Sequence, residues 1–147
     1  MIEELDVVVL KATTDRIPLP AGTRGTVVHI FNATPPAYLV EFSEDDDPRG
    51  LGVFDASDND LLLCLRRYWI TFKPTAEPSV LNLGCGVTTR DRGKARELIE
   101  QQVFPVLGVR SIQEIIEDID ISTLDANHVR PNMGDPTQRG VWFPLLP

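Results

Sequence analysis

Cys85 sits between Gly84 and Gly86, and His128 follows Asp125 and Asn127. A cysteine nucleophile needs an imidazole base and a third group to orient that base. These residue types therefore spell a thiol-dependent enzyme built on Cys85. They also spell ordinary structure: a cysteine on an apolar strand, between glycines that let a neighbouring chain come close. Signatures of catalytic cysteines are local to their families and do not transfer to this spacing. The structural reading is favoured, no enzymatic activity is assigned, and the thiol enzyme is kept as the alternative.

Metal and phosphate chemistry have less support. Cys64, Cys85, His29 and His128 show neither C-x-x-C nor H-x-x-x-H spacing, and no glycine-rich loop carries a phosphate-binding lysine. No metal or cofactor is expected. Glu44-Asp45-Asp46-Asp47 lacks the D-x-D-x-D-G pattern of a calcium loop. It reads as a solvated acidic loop that can also face a partner. Asp55, Asp58 and Asp60 add charge close by in sequence and join it as the expected partner-binding set.

The charge is placed unevenly. Residues Met1–Leu65 hold 12 acids against 4 bases, which accounts for the whole net charge of −8, whereas Arg66–Pro147 hold 10 of each. Such asymmetry argues for two modules and for an acidic surface on the first. It argues against nucleic acid, whose phosphates would be repelled. Tyr68, Trp69, Phe72, Trp142 and Phe143 are the types that stack bases, but strand alternation makes them core or inter-module contacts.

The elements that must carry these residues are mostly short strands. Gly22 and Gly25 mark a turn, and Thr26–Phe31 is β-branched or aromatic at nearly every position. Leu5–Lys11, Tyr38–Phe42, Leu51–Phe54 and Asp60–Leu65 complete a five-stranded set with no helix, the pattern of a small barrel. In the second half, Tyr68–Lys73 and Val80–Thr88 read as a hairpin. Asp91 caps a helix whose apolar face is Ala95, Leu98, Ile99 and Val103, and which ends at Pro105. Ser111-Ile112-Gln113-Glu114 is a capping-box pattern that predicts a second short helix, Glu117–Thr123 is open between helix and strand, and Arg139–Phe143 is a closing strand.

Leu5–Leu10, the Gly22-Thr23-Arg24-Gly25-Thr26-Val27-Val28 segment and Tyr38–Phe42 resemble a small bacterial domain family of unknown function. That family is similar to SH3-like barrels, and its Gly-x-x-Gly-Thr-Val-Val segment resembles the KOW motif. The second half looks like small bacterial proteins of the immunity type, encoded beside polymorphic toxins. The resemblance rests on Arg67-Tyr68-Trp69, Gly84-Cys85-Gly86-Val87-Thr88, Asp118–Asp125, Asn132-Met133-Gly134 and Arg139–Pro144.

The expected architecture is a β-rich α+β protein. Residues 1–65 form a five-stranded SH3-like barrel, and residues 66–147 form a small α+β domain with one main helix on a mostly antiparallel sheet. The resemblance implies an immunity protein that occludes the active site of a cognate toxin with a basic surface. A regulatory or antitoxin-like adaptor is the further alternative. No apolar run approaches the ~20 residues of a membrane span. The acidic first residues differ from a secretory signal and the two cysteines suit a reducing compartment, so a cytoplasmic protein with free, buried thiols is expected.

Overall fold

The structure, a computed structural model, describes residues 1–44 and 50–147. Among these residues it is β-rich, with nine strands in two antiparallel sheets and one main helix, and the chain divides into two compact units, Met1–Cys64 and Leu65–Pro147.

The first unit contains β1 (Val7–Leu10), β2 (Arg24–Phe31), β3 (Ala37–Phe42), β4 (Gly52–Ser57) and β5 (Leu61–Leu63), ordered β4-β3-β2-β1-β5. The two-residue alternation of the strands turns Val8, Leu10, Val27, Val40, Phe42 and Ala56 to one side, where Ile17, Tyr38 and Leu61 join them as the core. Gly25 is dictated by this packing: a Cβ there would lie 2.7 Å from Val40 and 2.9 Å from the Phe42 ring. A bulge between Val27 and His29 shifts the register of β2 against β3. Among the described residues β4 and β5 do not pair with each other, so the sheet is open and no closed barrel is found. The fourth and fifth strands are displaced from their expected bounds, because Ser57–Asp60 closes into a one-turn 3-10 helix over Asp58–Asp60.

The second unit contains β6 (Arg66–Phe72), β7 (Cys85–Thr89), β8 (Ile112–Glu117) and β9 (Gly140–Phe143), ordered β8-β6-β7-β9. On one face of the sheet, Tyr68, Ile70, Phe72, Cys85 and Val87 pack with Ala95, Leu98, Ile99 and Val103 of the helix. On the other face, Trp69, Trp142 and Phe143 pack with Leu124 and Val129. Helix α1 (Arg92–Leu98) begins where expected, with Asp91 accepting from the Lys94 N–H at 2.7 Å. It does not end at Pro105. Proline has no N–H to give to the preceding turn. The chain widens into a π turn over Ile99–Val103, in which the Phe104 N–H reaches Ile99, and then continues as α2 (Phe104–Leu107) to Gly108.

Two further expectations for this unit are corrected, and the stretch Glu117–Thr123, left open between helix and strand, is placed. Ser111–Glu114 opens a strand and not a helix, because β8 pairs with β6 from Phe72↔Ile112 to Tyr68↔Glu117 and tertiary pairing overrides a local capping signal. Ile121–Thr123 is a 3-10 turn capped by Asp120, which accepts from the Ser122 N–H at 3.0 Å. Val80–Asn82 is likewise a 3-10 turn, capped by Ser79, and the strand starts only at Cys85.

Candidate functional site

The expected acidic set divides into three groups. Asp45, Asp46 and Asp47 lie outside the described residues. Glu44 and Asp55 are exposed: Glu44 edges a shallow depression with Thr23, Arg24 and Ser43, and Asp55 stands on β4 opposite Leu39 of β3. Asp58, itself exposed, and the partly buried Asp60 are each bonded within the unit. The buried Tyr38 hydroxyl donates to Asp58 Oδ1 at 2.7 Å, and burial together with this bond and charge pushes the Tyr38 pKa up to about 12. Asp60 Oδ2 accepts from the Ser57 N–H at 2.9 Å, from the Ser57 hydroxyl at 3.1 Å and from Arg16 Nη2 at 3.0 Å. Burial disfavours the Asp60 carboxylate, but the Ser57 bonds and the Arg16 charge outweigh it and hold its pKa below the ordinary value. These two acids tie the β4–β5 corner to β3 and to the loop carrying Arg16.

Charge counting alone missed Glu41. It is exposed on β3 opposite Val53 of β4, and the alternation Tyr38-Leu39-Val40-Glu41-Phe42 carries the signal that it faces outward. The same outer face of the sheet exposes apolar groups, among them Phe31, Val53 and Leu62.

The thiol reading finds Cys85 sealed. Cys85 is 0% exposed, and burial pushes its pKa up to about 12, so the reactive thiolate is suppressed at neutral pH. Its flanking glycines have a packing reason. A Cβ at Gly84 would strike the Trp69 indole, and one at Gly86 would strike the Trp142 indole. The two indoles stack at 5.9 Å between centroids, Trp142 Nε1–H donates to Thr88 Oγ1 at 3.1 Å, and the Thr88 hydroxyl donates to Pro136 O at 2.6 Å. Trp69, Trp142 and Phe143 are therefore core of the second unit. Cys64 is only partly buried, against the expectation that both thiols are enclosed.

His128 is placed as a base could be, without a thiol beside it. Its Nδ1 lies 3.2 Å from Asp125 Oδ1, at a cleft of about 390 Å³ lined by Val80, Leu107, Asn132, Phe143 and the closing residues of the chain. The N–H groups of His128 and Asn127, each 2.8 Å from Asp125 Oδ1, hold the Asp125 pKa below the ordinary value. Asp125 is thus foremost the acceptor that closes this turn. Among the described residues, no three of His, Cys, Asp and Glu converge as a metal ion would need. No helix among them is long and apolar enough to cross a membrane.

Residues 4–48 are similar to a family described as a domain of unknown function (DUF4926). The matched stretch runs through β1, β2 and β3 and stops before β4. No curated protein and no solved structure matches the chain.

Proposed function

We propose that the chain is a binding protein of the immunity type, which occludes the active site of a cognate toxin through the acidic face of its first unit. The observation that carries this reading is the placement of charge. All of the −8 excess lies in Met1–Leu65, and Glu41, Glu44 and Asp55 stand exposed on or beside β3 and β4. Exposed like charges contribute little to stability and repel one another. An acidic face does accelerate encounter with a basic cleft and favours the correct partner over others. An adaptor or antitoxin-like module would use the same face. The thiol-enzyme alternative is disfavoured by the burial and raised pKa of Cys85. On this reading the first unit is an SH3-like barrel. The support is its meander β1 to β4, with β5 returning to β1 through the one-turn helix Asp58–Asp60. The working compartment is the cytoplasm, where a toxin is met before it acts on its own cell.

The test is co-expression with the toxin encoded beside the chain, followed by association kinetics. The wild type is expected to restore growth and to bind at a rate that falls as salt rises. Replacing Asp45, Asp46 and Asp47 together by Asn is expected to leave Tm nearly unchanged, slow association and flatten the salt dependence. A wild type that neither protects nor forms a complex overturns the proposal. Identical salt slopes remove these three residues from the interface.

A further inference from the structure

The two sheets treat their edges differently. In the second unit both edges receive a donor from outside the ladder: Arg92 Nη2 donates to Ile115 O of β8 at 3.4 Å, and the Gly134 N–H donates to Trp142 O of β9 at 2.7 Å. In the first unit β5 is three residues long, whereas β4 has six, in unbroken register with β3 from Ala37↔Ser57 to Phe42↔Gly52. Exposed sheet edges are normally blunted with charged side chains, lysine above all, or with proline, a bulge or a covering segment, and the one charge on β4 is Asp55, which repels an anionic strand but not a cationic one. Gly52-Val53-Phe54-Asp55-Ala56-Ser57 contains neither lysine nor proline, and its pairing with β3 has no bulge.

Backbone alternation identifies the groups on this edge. The Ser43 N–H donates to Arg24 O on the β2 side, and Phe42 O accepts from Leu51 on the other side. Phe42 and Val40 therefore turn their backbone to β4, and Val53 and Asp55 turn theirs away from β3. The next outward N–H, that of Ser57, is already taken by Asp60. Val53 is 53% exposed. Two side chains near it are anionic: Glu41 lies opposite Val53, and Asp55 is two residues along. The cationic residues described in this unit, Lys11, Arg16 and Arg24, all lie off β3 and β4.

We infer that β4 is the docking edge of the first unit, where an extended cationic segment of a partner protein adds as a further strand. The partner's backbone pairs with the N–H and C=O of Val53 and Asp55, and its lysines or arginines meet Asp55 and Glu41. This is strand addition, in which main-chain bonds give affinity and alternate side chains give specificity. It deepens the binding reading above and rests on it.

The experiment uses the full chain and a synthetic peptide that alternates Lys and Val, with a Glu and Val peptide as control. Amide hydrogen exchange at Val53 and Asp55 is expected to slow ~10-fold or more on saturation with the cationic peptide, and to be unmoved by the acidic one. Val53→Pro removes an outward N–H, a change that edge strands tolerate, and is expected to abolish peptide binding while circular dichroism stays that of the wild type. Unchanged exchange at Val53 and Asp55 under saturating cationic peptide overturns the inference, and this measurement needs no variant. A folded Val53→Pro protein that binds the peptide as the wild type does also overturns it. Toxin protection separates the two proposals. If wild type and Val53→Pro protect equally, the docking edge is wrong and the immunity function stands. If the wild type fails to protect, that function falls, while the exchange data still decide the edge.

Discussion

Asp55 and Asp60 are five residues apart and are both carboxylates, yet they are expected to respond differently to neutralisation. Asp60→Asn removes the charge that accepts from Ser57 twice and from Arg16 Nη2 at both carboxylate oxygens. Bonds to a charged group contribute roughly 1.5–3 kcal/mol each when enclosed. Arg16 is exposed and screened, so its share is a few tenths, and Asn retains one acceptor for the Ser57 N–H. The net loss is about 1–2 kcal/mol, which at about 4–8 °C per kcal/mol lowers the Tm of a module this size by about 5–15 °C. The pH dependence has a definite sign. The folded Asp60 pKa lies below its unfolded value, so its contribution is complete above the unfolded pKa of about 3.9 and is lost as pH falls through the folded one. The Tm gap between wild type and Asp60→Asn is therefore full at pH 7 and narrows below about pH 4. Asp55→Asn, at an exposed position on β4, is expected to stay within about 0.5 kcal/mol of wild type. Calorimetry of the three proteins from pH 7 to pH 3.5 measures all of this. An Asp60→Asn protein that melts with the wild type at pH 7, or a gap that is constant with pH, refutes the assignment of Asp60 to the corner.

The remaining predictions concern the two cysteines and Gly86. Cys85 is expected to react with a thiol reagent only as fast as the unit opens, while the partly buried Cys64 labels sooner; rapid labelling of Cys85 in the native protein would revive the thiol enzyme. Gly86→Ala drives a Cβ into the Trp142 ring and is expected to cost roughly 1–3 kcal/mol in denaturant unfolding, with a changed indole emission spectrum. A wild-type midpoint for Gly86→Ala would show that the glycine is not there for the indole.

What the sequence makes legible follows the range of the interaction. The strands of the first unit are readable because alternation is local: Val8 and Leu10, or Tyr38, Val40 and Phe42, carry their inward face in their own spacing. The α1 start is readable for the same reason, since Asp91 needs only Lys94. Ser111–Glu114 misleads because its capping signal is equally local, whereas its outcome is set by β6, some forty residues earlier. The glycines around Cys85 belong to this second kind. Their purpose is visible only when Trp69 and Trp142, on strands either side of β7, bring their rings over it. The site divides in the same manner. A charge count sees the sum of the acids but cannot separate Asp55 from Asp58 and Asp60. What occupies the latter two is Tyr38, 20 residues away, and Arg16, 44 residues away. An edge is less legible still, since no residue of β4 states that it is an end strand; among the described residues that is a property of the strand order β4-β3-β2-β1-β5. Composition can therefore count the acids of a unit, but only topology shows which strand stands at the edge of its sheet.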